Sequence, residues 1–149
     1  VEFVSDVAVA LGQPALPTHL PAEESPDGSP FPFLLLTPKH HTRFLNSSYS
    51  HLPNHGGREG GPFLECCAED AARIGTAEGE TVRVHNDRGA VTLPVRITER
   101  LRPGVVAIPW GWWAEASGGT VVNALTNSRL TDWGGGVAYS DTQVAVERV

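Results

Sequence analysis

A single β-rich domain with few, short helices is the fold class this sequence predicts, and three observations carry it. Pro and Gly together supply 12 + 16 = 28 of the 149 residues, which breaks the chain into short elements joined by turns. From Glu80 onward, apolar residues repeatedly recur with period two, the spacing of a half-buried strand. The length and the 40% hydrophobic content suffice for one cored domain and are too little for two comfortable ones. The formal charge, 11 − 17 = −6, is opposite to what phosphate-held nucleic-acid binders show, so no nucleic-acid partner is expected and any anion site must be local.

The opening VEFVSDVAVALG has no initiator Met, and the chain contains no Met at all, which leads us to expect a piece of a longer polypeptide. A targeting signal would then lie upstream; no run of 18 apolar residues suits a bilayer, so no membrane insertion is expected. Through ALPTHLPAEESPDGSP the chain is dense in Pro, Ser and acid, and residues 1–30 are expected to be an extended linker or arm ahead of a domain at 31–149.

Phe33–Leu36, four apolar residues between Pro32 and Pro38, predict a short buried strand that ends abruptly at Thr37 in a segment rich in donors. From Phe31 to Arg58 there is no Asp or Glu, while Lys39, Arg43, Arg58, His40, His41, His51 and His55 fall inside, a site for an anionic or hydrogen-bond-hungry ligand. A metal site built from the four histidines is the competing reading. Pro53 and Gly56 oppose the helix that would put His51 and His55 on one face, and no acidic ligand accompanies them. Asn54–Pro62 holds four glycines, read either as a surface loop or as backbone approaching a phosphate.

Phe63–Cys66 is strand-like, and Ala68–Ile74 predicts a two-turn helix with two acids in its first turn and Gly75 at C′. Cys66 and Cys67 are adjacent, lack metal-ligand spacing, and read as buried thiols in a reduced setting. Glu80–His85 and Ala90–Thr98 alternate, with Val82, Val84, Val91, Leu93, Val95 and Ile97 inward, and the Asn86–Gly89 turn joins them as a hairpin. Pro94, on the outward set, calls for a local unpaired edge or bulge. Val105–Pro109 is wholly apolar and reads as a central strand. Trp110, Trp112 and Trp113 are core and rim packing or a wall against a flat heterocycle. Asn123, an amide within an apolar run, looks buried; leaving it unpartnered there would cost about 1–3 kcal/mol, so it needs a backbone partner or a ligand edge. Thr142–Arg148 is the last strand.

The order LLTPKHH…FLNSS, EDAARIGTAEGETVRVHNDRG, ITERLRPGVVAIPWGWW, VNALT and TQVAVERV resembles the C-terminal dinucleotide-binding domain of molybdopterin oxidoreductases, relatives of dimethyl sulfoxide reductase and formate dehydrogenase. The resemblance spans about Phe31 to Val149. It implies a six-stranded double-psi β-barrel and, in the full-length enzyme, bis-molybdopterin guanine dinucleotide carrying Mo or W. The isolated domain would be a monomer without the cofactor and not an enzyme by itself. Its partners would be the remaining domains of the parent oxidoreductase, an iron–sulfur domain among them, in the cytoplasm rather than the periplasm. Carried over by position, Thr37, Lys39, His40, His41, Asn46, Ser47 and Ser48 would meet the pterin and pyrophosphate, and Asn123 the pterin edge. Relatives commonly have a polar residue and Pro before the EDA helix; Cys67 and Ala68 stand there in this chain and predict a weakened N-cap. The alternative function is a double-psi module for substrate or partner recognition without molybdopterin, since the fold serves both.

Overall fold

The computed structural model describes residues 4–16, 18–19, 22, 24–25, 27–40, 52, 54, 60–131 and 134–149. Six strands form a closed barrel: β1 (Phe33–Leu36), β2 (Leu64–Cys66), β3 (Thr81–His85), β4 (Ala90–Ile97), β5 (Val105–Ala107) and β6 (Gln143–Arg148), in the order β1-β5-β2-β4-β3-β6. The helices are short: α1 (Asp6–Ala10), α2 (Ala68–Ile74) and two 3-10 turns at Ala114–Ser117 and Val122–Ala124. This is the β-rich class expected from the sequence.

The strongest local signal gives the longest pairing. Alternation places Val82, Val84, Val91, Leu93 and Val95 inside, and the β3–β4 hairpin runs in register from His85↔Ala90 to Thr81↔Pro94. Ile97 is the exception to the expected inward set: at the end of β4 it is 39% exposed. Pro94 is tolerated because the Val95 N–H donates to the Glu80 carbonyl across the hairpin, so the missing Pro94 N–H falls on the other side. There β2 starts pairing only at Leu64↔Val95.

Closure comes from pairings far apart in sequence. β1 lies parallel to β5 through Leu34↔Val105, Leu35↔Val106 and Leu36↔Ala107, and antiparallel to β6 through Phe33↔Val144. β2 runs parallel to β4 and antiparallel to β5, and β6 closes on β3. The two parallel pairs join strands that are not consecutive in the chain, so each needs a crossover connection, as a double-psi barrel has. Leu35, Leu64, Val82, Val84, Val95, Val106, Leu125 and Val144 fill the interior with essentially no exposure.

α2 is fastened at both ends. Gly75 takes φ 79°, a left-handed conformation that a side chain resists, and its N–H donates to the Ala71 and Ala72 carbonyls. At the other end, the expected weak cap is replaced by sulfur: Cys67 Sγ accepts from the Asp70 N–H at 3.5 Å and donates to Asp70 Oδ2 at 3.3 Å. Asp70 is 1% exposed and also accepts from the Gly104 N–H at 2.8 Å, which ties α2 to the turn entering β5.

The arm carries α1, capped by the Ser5 hydroxyl accepting from the Ala8 N–H, with only Ala8 buried. Further along, Glu24 reaches the barrel and bonds to Arg88, Asn127 and Gln143. No helix among the described residues is long and apolar enough to cross a membrane.

Candidate functional site

Strand directions bring the segments after β1 and β5 to one end of the barrel, together with the β3–β4 turn and the start of β6. The β1–β5 pairing extends past both strands, because the Ile108 N–H donates to the Leu36 carbonyl at 2.9 Å and the Trp110 N–H to the Pro38 carbonyl at 3.1 Å. Thr37 is therefore half-buried at the rim, and Pro38 and Lys39 stand exposed beyond it. His40 turns inward and is 3% exposed, edge-on to Trp112 at a ring-centroid distance of 5.9 Å and to Phe63 at 6.4 Å. His41, Asn46, Ser47 and Ser48 lie outside the described residues, as do His51 and His55.

Trp112, in the segment after β5, packs on His40 and also faces Thr120 and Val122. With Trp110, Thr120 and Val122 it lines a narrow cleft floored by Val91, Leu93 and Ile108. Val122 begins the 3-10 turn Val122–Ala124, which carries Asn123 at its middle. The expectation of a buried Asn123 is corrected: Val122 and Leu125 turn inward and Asn123 is exposed. A 3-10 turn places side chains three residues apart on one side, so the residue between two inward anchors projects out. The Asn123 backbone carbonyl accepts from the Thr126 hydroxyl at 3.2 Å, and its amide is presented on the rim. The buried amide is Asn127 instead, which donates to the Ala138 and Asp141 carbonyls at 3.0 and 3.1 Å.

The tryptophans divide between the two roles. Trp110 packs on the core and lies tilted over Tyr139 at 6.2 Å; its indole N–H is buried without a hydrogen-bond acceptor among the described residues. Trp112 is half-buried, and Trp113 is 54% exposed on the rim.

The turn bearing Asn123 rests on the β3–β4 turn. Asn86 Nδ2 donates to the Leu125 carbonyl at 2.8 Å and to the Gln143 carbonyl at 3.0 Å, and Arg88 Nε donates to the same Leu125 carbonyl at 2.8 Å. Gly89 lets the two turns touch: a Cβ there would sit 2.9 Å from the Ala124 carbonyl oxygen. NDRG forms the turn its composition predicts, since the Arg88 N–H donates to Asn86 Oδ1 and the Asn86 N–H to the Gly89 carbonyl. That local pattern carries no sign that the same side chains hold a segment 37 and 39 residues downstream.

Among the described residues no group of three or more His, Cys, Asp or Glu could hold a metal; of the four histidines of the competing metal reading, only His40 lies among them. Cys66 and Cys67 are free and buried. Burial first, and then the charges of Cys67, Asp70 and Glu78, push the Cys66 thiol up to about 11. At neutral pH it is a protonated, packed side chain. Cys66 is therefore expected to react with an aromatic disulfide reagent only as fast as the barrel opens, and a burst of one fast thiol from Cys66 in native protein would contradict this.

The rim can thus offer an exposed ammonium at Lys39, a hydroxyl at Thr37 and an amide at Asn123, together with Trp112 and Trp113. These suit a flat polar heterocycle with an anionic tail.

Known proteins share both the sequence pattern and the fold. The profile of the family described as "Molydopterin dinucleotide binding domain" matches residues 33–143. A probable oxidoreductase of Bacillus subtilis, YoaE, is 36% identical over 150 residues, covering all of this chain and 21% of that protein. A putative dimethyl sulfoxide reductase catalytic subunit of Halobacterium salinarum is 32% identical over 115 residues, 77% of this chain and 14% of its own length. The chain thus spans about a fifth or less of these curated relatives. Among solved structures, acetylene hydratase from Pelobacter acetylenicus superposes over the whole chain with a TM-score of 0.86, at 19% identity and over 23% of its own length, a likeness of fold.

Proposed function

Because this chain belongs to the molybdopterin dinucleotide-binding domain family, we propose that the barrel rim described above is where a larger molybdenum- or tungsten-dependent oxidoreductase holds bis-molybdopterin guanine dinucleotide. The observation that carries the site assignment is the exposure of the Asn123 amide on a turn at the same end of the barrel as Thr37 and Lys39. An exposed amide on a turn whose backbone is pinned by two side chains leaves from a fixed place on the rim, and a pterin edge offers the matching donor and acceptor. Lys39 supplies a cation for a pyrophosphate and Thr37 a hydroxyl; His40, packed edge-on to Trp112, orients that ring more than it reaches outward. His41, Asn46, Ser47 and Ser48 continue the same segment and are assigned to the pyrophosphate and pterin with it.

When bound, the cofactor supplies the metal and the redox chemistry. The residues of this chain bind and orient it. The remaining partners we assign to the reading are the other domains of the parent polypeptide, including an iron–sulfur domain, with this domain monomeric by itself and the enzyme on the cytoplasmic side.

The test uses the full-length protein. Asn123→Ala combined with Lys39→Ala is expected to lower bound metal and acid-released guanine nucleotide by about tenfold at limiting cofactor, from the loss of one neutral and one charge-assisted contact. Metal and nucleotide contents equal to those of the unaltered protein would overturn the site assignment.

A further inference from the structure

The Glu24 carboxylate has an unusually complete set of donors for a residue of a Pro-rich arm. Arg88 donates to it through both terminal nitrogens, Nη1 to Oε1 at 3.0 Å and Nη2 to Oε2 at 3.1 Å, a two-pronged pair. The Gln143 backbone N–H at the start of β6 donates to Oε2 at 2.9 Å, and Asn127 Nδ2 lies 3.4 Å from Oε1. The Glu24 side chain is only 18% exposed, so these contacts are little screened by water.

Two of the three partners flank the turn that bears Asn123. Arg88, while its terminal nitrogens hold Glu24, turns its Nε onto the Leu125 carbonyl at the end of the 3-10 turn. Asn127, two residues further, also carries the Arg129 N–H on its Oδ1. With no carboxylate at this point, Arg88 would keep one bond of three and Asn127 would lose one acceptor. The Gln143 N–H would be left without its acceptor.

We infer that Glu24 is a positioning residue: by fixing Arg88 and Asn127 from outside, the arm's carboxylate holds the 122–127 turn and so the place on the rim from which Asn123 presents its amide. The rim is then complete only when a residue 103 positions before Asn127 is seated. This inference rests on the cofactor reading for its functional consequence, and on the hydrogen-bond geometry alone for its structural one.

The experiment is hydrogen–deuterium exchange on the full-length protein, read at the Ala124 and Leu125 amides, which donate to Val121 and Val122 within the turn, with Val82 and Val84 of β3 as controls. Glu24→Gln keeps the shape and removes the charge; exchange at Ala124 and Leu125 is expected to quicken about tenfold while the β3 amides stay unchanged. In Glu24→Ala, added formate is expected to slow exchange again by entering the vacated donors, whereas chloride at equal ionic strength does not. No quickening in Glu24→Gln, or no response to formate, overturns the inference. A Glu24 variant that fails to fold announces itself by fast exchange at Val82 and Val84. Glu24→Asp, which keeps the charge and the Arg88–Leu125 bond but shortens the reach to Arg88 and Asn127, then supplies the same comparison, and a turn unchanged in that variant overturns the inference equally. Metal content of the same samples separates the two claims. A loosened turn with metal content equal in the unaltered protein, Glu24→Gln and Asn123→Ala overturns the cofactor reading and leaves the positioning role standing.

Discussion

Replacing Asp70 by alanine is expected to cost the fold about 3 kcal/mol, a large share of what a domain of this size has. The carboxylate is 1% exposed and serves three partners together. Its Oδ2 accepts from the Cys67 thiol and from the Gly104 N–H, and its Oδ1 lies 3.3 Å from the Arg73 guanidinium. Gly104 is in turn the residue whose carbonyl accepts from the Leu34 N–H, so one buried side chain links α2 to the seam where β1 meets β5. Alanine would leave the Gly104 N–H without its acceptor, a desolvation loss that falls on the folded state alone. Asparagine keeps the volume and one acceptor oxygen but turns an NH₂ towards a donor, and roughly half the loss is expected. Denaturant unfolding checks this: the midpoint should fall in the order native, Asn, Ala with the slope unchanged. The Arg73 contact contributes little of the total, since that guanidinium is more than half exposed.

Asp70 also marks the boundary of what the sequence disclosed. The helix from Ala68 to Ile74, its two acids and its closing glycine were readable because each signal lies within a turn or two of its effect. The same holds for the β3–β4 hairpin, where alternation and the NDRG turn specify both strands and register. The Gly104 partner, 34 residues away, left no local mark, and neither did the closure of β1 on β5 and β6. Those pairings are set by which apolar surfaces can be covered together, a property of the assembled barrel. Resemblance to a family supplied the closed barrel where periodicity did not.

Asn123 and Asn127 show the same limit at the site. Both amides sit near Leu125, and an apolar neighbourhood suggested that the first was buried. Burial is decided by the turn: a 3-10 geometry sends Val122 and Leu125 inward and Asn123 out, while Asn127 finds the Ala138 and Asp141 carbonyls of a returning segment. Exposure makes Asn123 easier to understand as a ligand contact, because an amide on the rim has no burial cost to offset. Glu24, in a stretch read only as arm, and Arg88, read only as a turn residue, were missed for the reason that hid Gly104: their partners are 64 residues apart.

Leu125→Ala is the second large effect, and it separates the packing of the site from its chemistry. Leu125 is among the fully buried side chains of the barrel interior, and removing most of it should cost about 3 kcal/mol in lost transfer energy and residual cavity. Its backbone carbonyl, which accepts from Asn86 and Arg88, is untouched by the substitution, so the turn beneath Asn123 keeps the two bonds that pin it. Asn123→Ala is the opposite case: an exposed side chain whose removal should change stability by no more than about 0.5 kcal/mol. Measured together in the full-length protein, Leu125→Ala should lower the unfolding midpoint while the molecules that remain folded retain most of their metal. Asn123→Ala should leave the midpoint in place and lose metal. Parallel losses of stability and metal in both variants would mean that the turn acts only as part of the core, and the cofactor contact assigned to the Asn123 amide would have to pass to the segment after β1.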